Sequence, residues 1–130
     1  LNRADTLALA SLPGIGPALA RRIVERRTAL GFFHSLGQLD EVYGLHDTLQ
    51  RDLRQWFFIA ADLGPYPHLH INRATEVEIA AHPYLSHSLA RRLVRYRAQH
   101  GPYGSMADLA ALAGVPPGTW ARLAPYLVFD

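Results

Sequence analysis

Apolar residues along this 130-residue chain recur at helical spacing and hardly ever with the alternation of a strand. From Pro17 onward, Leu19, Ala20, Ile23, Val24 and Leu30 share one broad face when residues advance by roughly 100° each. That pattern predicts a helix from Pro17 to about Leu30, with Gly31 as its stop. A shorter apolar stretch ahead of it predicts a helix that starts behind Asp5 and runs to about Ser11. Ser35-x-x-Gln38 has the form of a start signal for a third helix, ended by Gly44, and a fourth covers roughly Thr48–Phe57. Nothing alternates for long enough to make a sheet. Arg27 falls inside the apolar face of the second helix. A guanidinium placed there should be partly buried and bonded to backbone carbonyls or a carboxylate.

The whole pattern then returns. Residues 1–60 align with residues 71–130 at an offset of seventy without a gap, with sixteen identities in sixty positions. Leu1-Asn2-Arg3-Ala4 matches Ile71-Asn72-Arg73-Ala74, and Leu19-Ala20-Arg21-Arg22-Ile23-Val24 matches Leu89-Ala90-Arg91-Arg92-Leu93-Val94. Arg27 pairs with Arg97, Gly44 with Gly114, and Leu53 with Leu123. The reading is a tandem duplication, 1–60 and 71–130, joined by a stiff Pro- and Gly-bearing linker at 61–70. In the second copy, Thr75 with Glu78 forms a capping box, Ser105-x-x-Asp108 starts the third helix, and the fourth covers roughly Gly118–Pro125.

Chemistry concentrates between the first two helices, in Leu12-Pro13-Gly14-Ile15-Gly16-Pro17-Ala18. Gly14 can take a positive φ without steric cost, and Gly16 lets another backbone approach. Pro17 suits the first helical position, where its missing N–H removes only a donor that would be orphaned. The amides of such a helix start point outward at the positive end of the dipole and can hold an anion, most simply a phosphate. Arg21 and Arg22, one turn further on, add mobile charge.

Charge says more by distribution than by sum. A net charge of +2 is too small for an overall basic field. All thirteen basic residues are Arg, the better residue for forked hydrogen bonding to phosphate. With 49% hydrophobic and 18% charged residues the chain is globular. Zero cysteines exclude disulfides, thiolate metal sites and Cys catalysis. No apolar run of roughly eighteen residues is present to span a membrane. Because the chain begins at Leu1 and not Met, it is expected to belong to a longer protein. Among seven histidines only His68-x-His70 forms a local pair, and no third ligand is suitably spaced, so no transition metal is expected. Phe32, Phe33, Trp56, Phe57, Trp120, Tyr126 and Phe129 are expected to close the cores. No basic–aromatic ladder suggests stacking on single strands.

These residues resemble a helix-hairpin-helix protein, and each unit resembles the tandem module of the ComEA-like competence proteins. The match is carried by Leu1-Asn2-x-Ala4, Leu12-Pro13-Gly14-Ile15-Gly16-Pro17-Ala18-x-Ala20-x-x-Ile23, Arg27, Gly31-x-Phe33, Ser35-Leu36-x-x-Leu39 and Val42-x-Gly44-Leu45. It implies an all-α fold of two units, each a pair of helix-hairpin-helix motifs in a SAM-like arrangement. It also implies binding of double-stranded DNA without sequence preference, through hairpin amides on phosphates. The ComEA likeness further implies a DNA-uptake receptor held outside the cytoplasm by a membrane anchor that this chain does not include. A monovalent cation on hairpin carbonyls and self-association are compatible with it; a small-molecule substrate is not expected.

Three of the four hairpins depart from the pattern. Gly14 becomes Tyr84 and Gly16 becomes Ser86 in the second copy. A left-handed tyrosine would cost about 1–2 kcal/mol, so that turn should be remodelled. Ser86 remains a good N-cap, and its hydroxyl would fill part of the amide nest. Gly44-Leu45-His46 keeps one glycine, and Gly114-Val115-Pro116-Pro117 loses two amides to proline. The second copy compensates with Arg91, Arg92, Arg95 and Arg97, with no acid between Glu78 and Asp108. DNA contacts are therefore expected from Pro13, Gly14, Ile15, Gly16, Ala18, Arg21 and Arg22, from Gly44 and His46, and from Ser86, Arg91, Arg92 and Arg95. The competing reading is a protein-interaction or architectural module whose hairpins have decayed. Catalysis is not expected, since there is no Lys, and Asp40 and Glu41 have no base or nucleophile beside them.

Overall fold

The computed structural model describes residues 1–59 and 66–130. The chain divides into two compact units, Leu1–Tyr66 and Pro67–Asp130, each considered by itself. The part of the expected linker at 61–65 lies outside the described residues. Unit 1 contains α1 (Thr6–Ala10), α2 (Gly16–Leu30), a 3-10 helix at Leu36–Glu41, and α3 (Asp47–Trp56). Unit 2 contains β1 (Leu69–His70), α4 (Glu76–Ala80), α5 (His87–His100), α6 (Met106–Ala110), α7 (Thr119–Leu123), a 3-10 turn at Ala124–Tyr126, and β2 (Leu127–Val128). The fold is all-α.

Local chemistry starts these helices. The Asp5 carboxylate accepts the Ala8 amide at 2.7 Å, and the Thr75 hydroxyl accepts the Glu78 amide at 3.1 Å. Gln38 Oε1 accepts the amides of His34 at 2.6 Å and Ser35 at 3.1 Å, which fixes the start of the 3-10 helix. Each helix pair then turns in the same way. The amides of Leu12, Val42, His82 and Leu112 donate to the carbonyls of Leu9, Leu39, Ile79 and Leu109, at 3.2, 3.1, 3.2 and 3.1 Å.

Within unit 1 the two turns lock each other. A Cβ on Gly14 (φ +83°) would lie 2.6 Å from Leu49 Cδ2, and one on Gly44 (φ +84°) would lie 3.3 Å from Leu19 Cδ2. Leu19 and Leu49 each stand five residues beyond their own turn's glycine. Each turn therefore closes on the other motif's second helix, and this reciprocity places both turns along one edge of the unit.

Two side-chain devices tie the start of each unit to its body. Asn2 donates to the Phe33 carbonyl at 2.9 Å and accepts the Phe33 amide at 2.6 Å; Asn72 does the same with Tyr103, at 2.8 and 2.6 Å. Arg27 Nη1 donates to the carbonyls of Leu1 at 3.1 Å and Ala4 at 2.5 Å. Arg97 Nη1 donates to those of Ile71 and Ala74, both at 2.9 Å. The expectation that both arginines serve as internal clamps is met. Leu9, Ile23, Phe32, Phe33, Leu39 and Leu53 form the fully buried centre of unit 1; Ile71, Ile79, Leu93, Leu109, Leu123 and Tyr126 form that of unit 2.

The structure differs from the sequence reading in three places. A parallel pairing joins Leu69 to Leu127 and His70 to Val128, so residues 69–70, read as linker, are built into unit 2. Two residues are too few for a period-2 pattern to register. The third element of unit 1 is a 3-10 helix, whereas its counterpart in unit 2 is α-helical. Trp56, expected in the core, is 47% exposed at the end of α3.

Candidate nucleic-acid interface

The turn Leu12–Ala18 folds as the glycines dictate. Gly14 and Gly16 hold φ of +83° and +66°, a region from which every non-glycine described residue is absent. Pro17 occupies the first turn of α2, and no acid stands there to oppose an anion. Among the described residues the amides of Gly14, Gly16 and Ala18 donate to no protein acceptor. Gly14, Pro17 and Ala18 are exposed, and the space a Gly16 Cβ would occupy is empty to 4 Å. The result is a small cluster of outward main-chain donors at the positive end of a 15-residue helix.

Ile15 is a correction. Its amide donates to the Leu12 carbonyl at 3.2 Å, and its side chain is 5% exposed. Ile15 therefore anchors the turn and supplies no free donor. Pro13 is exposed beside it and has no amide to offer.

The arginines separate into committed and uncommitted ones. Arg21 is exposed, with no partner among the described residues, and Arg95 is likewise. Arg22 is committed at one nitrogen: Nη1 donates to the Tyr43 carbonyl at 3.2 Å, and the guanidinium lies 5.1 Å from the centre of the Tyr43 ring. Arg92 repeats the bond to the Ala113 carbonyl. Arg91 stands 3.6 Å from Glu76, an exposed pair of small energetic weight. Arg22 and Arg92 thus bridge the first hairpin's helix to the second turn, a role the sequence reading missed because that carbonyl lies 21 residues away. At the second turn, Gly44 abuts Arg22, and His46 is exposed ahead of α3 without a side-chain capping bond.

In unit 2 the corresponding turn is closed by side chains. No residue there other than glycine takes a positive φ, so the backbone at Tyr84 and Ser86 is remodelled as expected. His82 Nδ1 accepts the Tyr84 amide at 3.2 Å, and Ser86 Oγ accepts the Leu89 amide at 3.1 Å. The Ser86 hydroxyl is the expected N-cap, and the residue itself is exposed at the start of α5. The Tyr84 ring packs with His82 and Tyr126, at 5.2 and 6.2 Å between ring centres, under the Arg122 guanidinium at 5.0 Å. Of the amides left open in unit 1, only the counterpart of Gly14's, at Tyr84, is bonded in unit 2; those of Ser86 and Ser88, in the places of Gly16 and Ala18, have no protein acceptor among the described residues.

No group of three His, Asp or Glu among the described residues is placed to hold a metal ion, and no described helix is long and apolar enough to cross a membrane.

Comparison with known proteins agrees with this geometry. Curated relatives include the endonuclease/exonuclease/phosphatase family domain-containing protein 1 of Rattus norvegicus and of Homo sapiens, each 30% identical over 142 residues. The Danio rerio protein of that name is 24% identical over 131 residues. Each alignment covers 88% of this chain but only 25, 25 and 24% of the relative, so the chain spans about a quarter of their length. The family model for the helix-hairpin-helix motif, a motif that generally binds nucleic acid, matches residues 1–57 and again 66–128. With both units matched and the four turns in place, the chain belongs to the helix-hairpin-helix family.

Proposed function

We propose that this chain binds double-stranded DNA without sequence preference, through unit 1, and that it acts by binding and not by catalysis. The observation that carries the reading is the set of unpartnered amides at Gly14, Gly16 and Ala18, with exposed Arg21 one turn away. Such donors grip phosphate oxygens, and phosphate contacts carry no base information. Some two to four phosphates neutralised would give a log–log salt slope of about −2 to −4. Affinity from one such turn is weak and would gain from avidity within a larger assembly.

Fluorescence polarisation of a labelled duplex at low salt tests the reading. Gly16→Ala places a methyl in the open space before the amides and should abolish most binding; Arg21→Gln should flatten the salt slope by about one. Equal binding by wild type and Gly16→Ala, or none by either at tens of micromolar, refutes the proposal. One setting for the activity is a membrane-anchored DNA-uptake receptor of the ComEA kind. The other is a DNA anchor within a larger chain, as the nuclease-family domain in the relatives' name suggests. Binding alone serves both settings.

A second reading applies to unit 2, where the packing of His82 and Tyr84 into the turn favours an architectural role. Unit 2 produced alone would then show little affinity for the same duplex.

A further inference from the structure

Tyr43 stands on the second turn of unit 1 with 83% of its surface exposed. It occupies the position before Gly44 that Pro13 occupies before Gly14. Phe32 and Phe33 of the same unit are fully buried, whereas this ring stands outside the core with more of its surface exposed than Trp56 or Phe58. Its position is nonetheless fixed. Leu45 anchors the turn in the core at 6% exposure, Gly44 closes on Leu19, and Arg22 holds both the carbonyl and the face of Tyr43. Beside the ring lies a shallow hollow of about 290 Å³, lined by Arg22, Arg26, Glu41 and Tyr43 among others.

Arg22 belongs to α2, the helix whose first turn carries the open amides, and the Gly14–Leu49 and Gly44–Leu19 contacts keep the two turns on one edge. That edge presents anion donors at one turn and an apolar ring with a cation at the other. A sugar–phosphate strand offers the complement, a charged phosphate and a less polar sugar face in alternation. We propose that Tyr43 lays its ring against a deoxyribose of the duplex whose phosphate is held at the Gly14–Ala18 turn, giving unit 1 a non-ionic contact. The proposal rests on the DNA-binding reading above. Unit 2 has Ala113 at the equivalent position: it retains the arginine bond but has no ring.

The test is the same duplex polarisation assay across a salt titration, on the 130-residue chain carrying Tyr43→Ala, Tyr43→Phe or Gly16→Ala. Burial of one ring face predicts that Tyr43→Ala weakens binding about tenfold at every salt concentration. The slope should stay unchanged, because no counterion is released by an apolar contact. Tyr43→Phe should bind within about twofold of wild type, since the ring makes the contact. A melting curve of Tyr43→Ala confirms that the exposed substitution leaves the fold intact. If Tyr43→Ala binds like wild type while Gly16→Ala does not, the proposal is overturned and the DNA reading stands. A slope flattened by about one would show the ring acting only through Arg22, which also overturns it. Failure of every form to bind removes both.

Discussion

Replacing Arg97 with Met asks what the internal clamp is worth. Met keeps much of the apolar stem and removes the donor. Nη1 now bridges two carbonyls, of Ile71 and Ala74, at 2.9 Å each, and both residues are buried, at 0 and 4% exposure. Hydrogen bonds from a charged donor contribute about 1.5–3 kcal/mol each, and buried acceptors left bare are costly. Arg97 is only half-buried, so water recovers part of that loss, and the net effect should be about 2–4 kcal/mol. A domain of roughly sixty residues has only about 3–9 kcal/mol in total. At about 4–8 °C per kcal/mol, the melting temperature of unit 2 should fall by some 10–25 °C. The chain allows a clean assay, because Trp120 lies in α7 of unit 2 and Trp56 in α3 of unit 1. On a Trp56→Phe background, Trp120 fluorescence reports unit 2 alone. A fall below about 3 °C would refute the reasoning, since the two carbonyls would then be satisfied without the guanidinium.

Other substitutions separate strain from packing. Gly14→Ala should cost more stability than Gly16→Ala in urea melts: both force a left-handed alanine at about 1 kcal/mol, but only at Gly14 does the new Cβ strike Leu49, at 2.6 Å. Ser86→Ala removes the cap on Leu89 and should lower unit 2 stability by about 1 kcal/mol, read by the same Trp120 signal. Burial, followed by the neighbouring Tyr96 and against the opposing pull of Arg97, pushes the Tyr103 phenol up to about 12, and its O–H donates to the Leu93 carbonyl at 2.8 Å. The raised value favours the protonated form in the folded unit. This stability is complete below a pH of about 10 and drains away as pH rises through about 12. Urea midpoints across that window should fall in wild type and fall less steeply in Tyr103→Phe.

The parts of this architecture visible in the sequence are those set by residue type and period. The apolar face of α2 announced the helix, and a charged residue inside that face at the same place in both units announced the Arg27 and Arg97 clamps. Tyr84 and Ser86 in the places of the two glycines signalled that the turn of unit 2 had to differ, because only glycine takes positive φ freely. Residue type is silent on where a main-chain amide goes. Hence Ile15 read as a donor, although its N–H closes the turn on Leu12. Arg22 read as mobile charge; the carbonyl it bonds is brought near only by the packing of the second turn. His82 had a legible signal, a ring acceptor two residues before the amide it caps, comparable to the short-range bonds of Asn and Asp in turns.

One backbone frame supports two outcomes because its stability does not come from the turn's donors. The Asn2 and Asn72 latches, the arginine clamps and the four matched turn closures recur in both units, so the frame holds whether the amides are open or capped. In unit 1 the opposing leucines press on the glycine turns, and the amides outside that contact remain in water, where an unpaired donor is cheap. A phosphate can replace that water without disturbing the core. In unit 2, His82 fills the interior end of the turn at 7% exposure, and Tyr84 and Tyr126 pack round it. Freeing the Tyr84 amide for an anion would require uncovering a packed aromatic cluster. The difference between the turns therefore follows from which side chains lie behind them: the amide free at Gly14 is bonded at Tyr84, and the same packing makes the turn of unit 2 the more closed of the two.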